Sequence, residues 1–267
     1  MSEPLEFEEK KTSGENPELG ERLRTASPDV LRTLVNDPAL NEEQAALLLT
    51  RKDLAGELIE ELAQRKALLK NYAVKKSLVL HPHTPRLISL RLLRDLYLMD
   101  LVQLTLTPGA LAELKRNAEA QLIARLPQLP LGQKITLARR GPGRVAGELL
   151  AEGHPQILTI VLDNSNLNEA HVLKALAKVK LAPRVAEAVA RHPKWSATYN
   201  VRLALVRQPA ATLSTILAFL PELTVSDLKE LTAPGIVAEN LRRYLQAEIQ
   251  RRIRRGKGGT TKQRENG

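Results

Sequence analysis

Apolar residues along this chain come in short bursts separated by turn-forming residues. Ala73–Leu80 places them at Val74, Leu78 and Leu80, and Asn200–Arg207 at Val201, Leu203 and Leu205. Each set fits a short helix buried on more than one side, although local alternation competes as a strand signal. Polar residues mark where such helices begin. Asn41 and Asn168 are N-cap residues for helices running to about residues 50 and 177, with Gln44 placed to close a capping box. Thr224-Val225-Ser226-Asp227 opens another short helix. Ser27-Pro28 and Thr107-Pro108 read as N-cap followed by first helical residue, and Thr84-Pro85 repeats the pair slightly displaced. Proline suits that position because its missing N–H would be unpaired there anyway. The last helix, from Pro234 to about Arg254, is predicted to be the longest and to cap the array.

The bursts repeat on two scales. Pro28, Pro82, Pro108, Pro130, Pro155, Pro183, Pro209 and Pro234, with Gly56 at the vacant step, form a ladder with steps of about 26 residues. That length holds two short helices and their turns but not a βαβ unit, so the ladder decides for helix. On the longer scale, Pro28–Arg125 aligns without a gap on Pro155–Arg252, a constant offset of 127. This alignment has 26 identities in 98 positions, where composition alone gives about 8. Matches include Leu40-Asn41-Glu42 with Leu167-Asn168-Glu169, Tyr72-x-Val74 with Tyr199-x-Val201, and Asp100-Leu101 with Asp227-Leu228. The expectation is an all-α stack of about eight helical pairs with an internal duplication. Its parts are an acidic, disordered head (1–21), a four-repeat block (22–126), joining helices (127–153), a second four-repeat block (154–254) and a basic flexible tail (255–267).

Composition narrows the setting. The 267 residues contain no Cys, which removes disulfides, thiolate chemistry and Cys-ligated zinc and suits a reducing compartment. No apolar run approaches the ~18 residues of a membrane span, and the acidic start is unlike a signal peptide. A soluble, cytoplasmic protein is expected. Net charge is +10, unevenly spread: the head from Met1 to Glu21 holds seven Glu against Lys10 and Lys11, while the end from Arg242 is strongly basic.

Two segments carry a family likeness. Val201-Arg202-Leu203-Ala204-Leu205-Val206-Arg207-Gln208-Pro209 resembles the bacterial-type leucine-rich repeat variant consensus, V-R-x-x-V-A-x-N-P. Val74-Lys75-Lys76-Ser77-Leu78-Val79-Leu80-His81-Pro82-His83-Thr84-Pro85 resembles it too, with His81 and Gln208 where the consensus has Asn. The related HEAT-like label fits equally. The resemblance covers residues 22–254 and implies a right-handed α-solenoid that binds through its surfaces and performs no reaction.

The chain offers little chemistry of its own. His81-Pro82-His83 is the one close His pair, with no H-E-x-x-H or similar ligand set beside it, so these read as polar turn residues and no metal or cofactor is expected. Nucleophile-elbow, Walker and dinucleotide-binding motifs are absent from the sequence. Arg140-Gly141-Pro142-Gly143-Arg144 precedes a helix over Val145–Glu152, whose first amides offer a phosphate site or, more simply, a plain helix–helix turn. A HEAT-like DNA glycosylase family shows that such solenoids can be enzymes. Here, however, Tyr199 recurs as Tyr72 while Trp195 is replaced by Leu68, a pattern that fits repeat packing better than one active site.

Anion contacts are expected from Arg139, Arg140 and Arg144 at the centre and from Arg251, Arg252, Arg254, Arg255 and Lys257 near the end. With 3% aromatics, stacking platforms for single strands are few. The sequence reading is therefore a non-catalytic scaffold for a macromolecule, a protein first, whose basic end docks on an acidic surface. Nucleic-acid binding is the alternative and a glycosylase the third reading. Attraction to an anionic membrane surface is weaker still, and the plainest view of the end is a solvated helix terminus whose arginines suit its dipole.

Overall fold

A computed structural model describes residues 25–178, 180–208, 212–233, 236–237 and 239–261, with side chains at all of these except 240 and 255–261. Among them there is no strand. The helices are α1 (Pro28–Asn36), α2 (Glu42–Leu48), α3 (Gly56–Gln64), α4 (Tyr72–Leu80), α5 (Arg86–Leu92), α6 (Leu98–Leu106) and α7 (Ala112–Arg125). There follow α8 (Leu131–Arg140), α9 (Gly143–Glu152), α10 (Pro155–Leu162), α11 (Glu169–Leu176) and α12 (Pro183–Arg191). The last are α13 (Pro193–Ser196), α14 (Tyr199–Arg207), α15 (Leu213–Phe219), α16 (Val225–Leu231) and α17 (Glu239–Thr261). Helices of two to three turns are marginal alone in water, so packing must hold them.

Two compact units divide between Gln121 and Leu122, so the joining helices α8 and α9 belong with the second block. Within the first unit α1 packs on α3, α2 on α4, and α4 on α5. In the second, α8 packs on α9 and α10, α9 on α10 and α11, α10 on α12, and α11 on α14. Packing thus joins helices that are close in sequence, either adjacent or about one repeat apart. α17 closes the second unit by laying Leu241, Leu245 and Ile249 against Leu220, Leu228 and Leu231.

The duplication governs the elements. Helices beginning at 28, 42, 56, 72, 86, 98 and 112 recur at 155, 169, 183, 199, 213, 225 and 239, every one at the same offset. Identical residues at matched positions fill the core: Val74 and Val201, Leu78 and Leu205, Leu101 and Leu228 are all buried. Polar ties recur as well. The Tyr72 hydroxyl donates to Asp100 and accepts the Tyr97 N–H at 2.9 Å; the Tyr199 hydroxyl donates to Asp227 and accepts the Thr224 N–H at 3.1 Å. Lys75 pairs with Asp95 at 2.6 Å and, at the matched positions, Arg202 with Glu222 at 3.4 Å.

Asn41 and Asn168 both close capping boxes, with Gln44 and His171. Thr224 caps α16 as expected, accepting the Asp227 N–H at 3.2 Å. Three expected boundaries moved. Thr107-Pro108 starts no helix, because Gly109 follows at φ +78° and Pro-Gly makes a turn that lets α7 begin at Ala112. Pro85 is itself the N-cap of α5, while the Thr84 hydroxyl turns back to donate to the Leu78 carbonyl at 2.5 Å. α17 begins at Glu239 and continues past Arg254 to Thr261 despite its glycines, since a packed helix extends at low cost once nucleated. The head 1–21, Pro209, Pro234 and the tail beyond Thr261 lie outside the described residues.

Candidate functional site

The central arginines lie around one turn of the second unit. Arg139 and Arg140 are exposed in the last turn of α8, and Arg144 is exposed in the first turn of α9. Gly141, Pro142 and Gly143 between them are buried. A Cβ on Gly143 would collide with the Asn166 carbonyl oxygen and stand 2.5 Å from the His171 ring. The Asn164 side chain donates to the Ala138 carbonyl at 2.8 Å, and the Asn166 side chain to the Gly141 carbonyl at 3.1 Å. The following repeat therefore covers this helix start, which serves as a helix–helix turn rather than a phosphate cradle.

Beside that turn, α9 and α11 leave a shallow hollow lined by Arg144, Gly147, Glu148, His171, Lys174 and Lys178. Glu148 stands between two ammonium groups, Lys178 at 3.0 Å and Lys174 at 3.4 Å. Burial works to raise its pKa, but the two lysines outweigh burial and hold the carboxyl below its usual range. Burial, then the charge of Lys174, pushes the His171 imidazole down. A neutral ring is what its cap requires, because Nδ1 accepts the Asn168 N–H at 3.4 Å. Lys174 and Lys178 are absent from the sequence expectations: Lys174 lies in the last turn of α11, and Lys178 lies just past its end.

The C-terminal arginines divide three ways. Arg252 turns inward: it meets Glu248 at 2.8 Å and donates to the carbonyls of Leu220, at 2.6 Å, and of Leu223. Those bonds close the 3-10 turn Leu220–Glu222 against α17, so this arginine is occupied in holding the fold. Arg251 pairs with the same Glu248 at 2.6 Å while staying largely exposed, and Arg254 is exposed. The side chains of Arg255 and Lys257 lie outside the described residues. This end packs through α17 on α16, whereas the turn with the central arginines packs through α8 and α9 on α10 and α11.

The residues weighed for chemistry hold loops together. His81 Nε2 donates to the Arg51 carbonyl at 2.6 Å while Nδ1 accepts the His83 N–H at 3.2 Å, and the His83 ring meets the Leu54 carbonyl at 2.8 Å. Trp195 is buried and donates to the Leu162 carbonyl at 2.9 Å, with Lys194 4.2 Å above its ring. In the first unit Arg65 serves the equivalent carbonyl, that of Val35, at 3.0 Å. Burial and the bond to Asp100 push the Tyr72 phenol up to about 12. Among the described residues no group of three or more His, Asp and Glu side chains is placed to hold a metal, and no helix is long and apolar enough to cross a membrane.

Charge separates the two units. Residues 122–267 carry 23 Lys and Arg against 11 Asp and Glu, a net +12, whereas residues 1–121 carry 17 against 19, a net −2. Every described carboxylate of the second unit is engaged by a partner, from Glu148 and Glu152 to Glu239 and Glu248. Among the described residues Arg139, Arg140 and Arg184 have no such partner and are exposed. No protein-family model, curated protein or solved structure matches this chain.

Proposed function

We propose that the chain is a non-catalytic α-solenoid of about eight helical pairs, a cytoplasmic scaffold that holds a macromolecular partner, in the first instance a protein. We assign it no catalytic residue. Alternate-helix packing within each unit supports the repeat reading. So does the use of the His, Trp and Tyr side chains as ties between neighbouring repeats.

The observation that carries the binding reading is an asymmetry between matched positions. Leu87 is 80% exposed, Tyr97 64% and Met99 49%. Their counterparts in the second unit are Ser214, Thr224 and Ser226. The same elements form in both units, so the helices themselves do not depend on these apolar side chains, although the Tyr97 ring also stacks on that of Tyr72 at 3.9 Å. Exposed Leu, Tyr and Met on α5 and at the start of α6, with exposed Arg91 one turn from Leu87 on α5, have the composition of a protein contact, where aromatic and arginine anchors carry most of the binding energy.

The test exchanges them for the chain's own alternatives, Leu87→Ser, Tyr97→Thr and Met99→Ser together. Helix content should stay close to the parent, with stability lowered only by about the 0.5–1.5 kcal/mol of the Tyr97–Tyr72 stacking. Crosslinked capture of a protein partner by the full chain should fall about tenfold or more, as expected when anchors worth ~1–2 kcal/mol each are lost. Undiminished capture would remove the protein reading for this face. The basic second unit favours a second reading, contact with a polyanion.

A further inference from the structure

We infer that the second unit binds the phosphodiester backbone of duplex nucleic acid, through Arg139, Arg140 and Arg144 at the α8–α9 turn, Lys174 and Lys178 beside it, and Arg184 at the far end of α9. This site is independent of the apolar face of the first unit and stands whether or not a protein docks there.

The unit's charge makes the first argument. A net +12 on residues 122–267, against −2 on residues 1–121, gives a field that gathers polyanions at long range. The second argument is pairing. With the described carboxylates of this unit already engaged, added anionic groups meet cations and few competing acids. Among the described residues nothing pairs with Arg139, Arg140 or Arg184, and all three are exposed. The third is arrangement. Arg139 and Arg140 end α8, Arg144 opens α9, and Lys174 and Lys178 rise from the α11 side of the same hollow. Arg184 reaches the other end of α9, its Nε 3.7 Å from where a Cβ on Gly153 would stand. Glu148, held between the two lysines, keeps them in place beside Arg144, which lines the same hollow.

Chemistry then selects among polyanions. Single strands are gripped by stacking bases on exposed aromatic rings. Residues 122–267 contain four aromatics: Trp195, Tyr199, Phe219 and Tyr244. Trp195 is buried, Tyr199 and Phe219 pack on the core, and Tyr244 alone is largely exposed. A surface rich in guanidinium and poor in rings suits a helical backbone, which offers one charge per ~1.7 Å of axis and hides its bases. Arginine's forked donors match phosphate oxygens, so the guanidinium groups carry more than point charge. Binding of this kind is not sequence-specific and weakens steeply with salt.

The experiment measures fluorescence anisotropy of the full chain with a labelled DNA duplex of about 25 base pairs, over ~50 to ~200 mM salt. The expected result is micromolar or tighter binding at low salt that falls steeply as salt rises. The variant Arg139→Gln, Arg140→Gln, Arg184→Gln alters side chains with no partner among the described residues. It should bind at least tenfold more weakly, with the slope of log affinity against log salt reduced by about 2–3. A control variant, Lys66→Gln, Lys70→Gln, Arg116→Gln, removes the same charge from the first unit and should bind as the parent does.

Equal weakening by both variants would mean that net charge alone attracts the duplex, and would overturn the site. Tighter binding of a poly-thymidine strand of equal charge would overturn the choice of duplex. Equal competition by polyglutamate would make the surface one for acidic proteins, and no binding at low salt would end the proposal. The triple change in the first unit's apolar face leaves every one of these outcomes untouched, so the two readings fail separately.

Discussion

At the scale of single residues, the duplication supplies internal comparisons, and the sharpest is Gln44 against His171. Both close a capping box by accepting an N-cap N–H, but only the imidazole titrates near neutrality. Burial and Lys174 depress its pKa below the ordinary 6.5, so the unfolded chain takes up the proton first. Its contribution to stability is therefore present above about pH 6.5 and is lost as pH falls through the lower folded value. The change His171→Gln installs the residue used by the first unit. Melting followed from about pH 7 to pH 5 should show a shallower acid limb in this variant than in the parent. Superimposable limbs would mean that the cap tolerates a charged ring.

Helix and turn are the scale at which Arg252 must be understood. As sequence it is one of a run of cations; as structure it ties α17 to the turn Leu220–Glu222 through two carbonyl oxygens. Arg252→Gln should leave those acceptors unpaired and cost about 1–3 kcal/mol in urea unfolding. Arg254→Gln, two residues on and exposed, should stay within about 0.5 kcal/mol of the parent. Equal effects would show that Arg252 is no tie. This contrast marks the limit of what the sequence discloses. The helices at Asn41, Asn168 and Thr224 were legible because a cap is a local event between residues three apart. Pro108 misled because one proline serves a helix start and a turn alike, and only the glycine after it decides. The candidate arginines were legible as charge, but whether a guanidinium faces solvent or a carbonyl depends on a distant chain segment, and composition is silent about that. Lys174 and Lys178 needed the packing of α9 on α11 before they joined Arg144.

Taken as a whole, the molecule repeats one plan and varies its surface. Matched elements keep Val74 and Val201 or Leu101 and Leu228 buried, while outward positions change character, Leu87, Tyr97 and Met99 against Ser214, Thr224 and Ser226, Glu57 against Arg184, and Arg86 against Leu213. Burial kept between the two halves alongside surfaces that diverge fits short helices that cover their apolar faces against near neighbours in sequence and leave their outer faces free to change. The arrangement has a weak point at any end that loses its cover. α17 provides that cover in the second unit, where Leu241, Leu245 and Ile249 lie over Leu220, Leu228 and Leu231. Deleting residues 239–267 would uncover side chains that are now at most 5% exposed. Such a surface costs about 25 cal/mol for each Å² returned to water, which self-association can recover. The shortened chain should keep most of its helix by circular dichroism, lose cooperativity in melting, and form oligomers by light scattering at concentrations where the parent scatters as one species. A monodisperse truncation with the parent's melting curve would show that α17 is an appendage, and that the second unit's core closes without it.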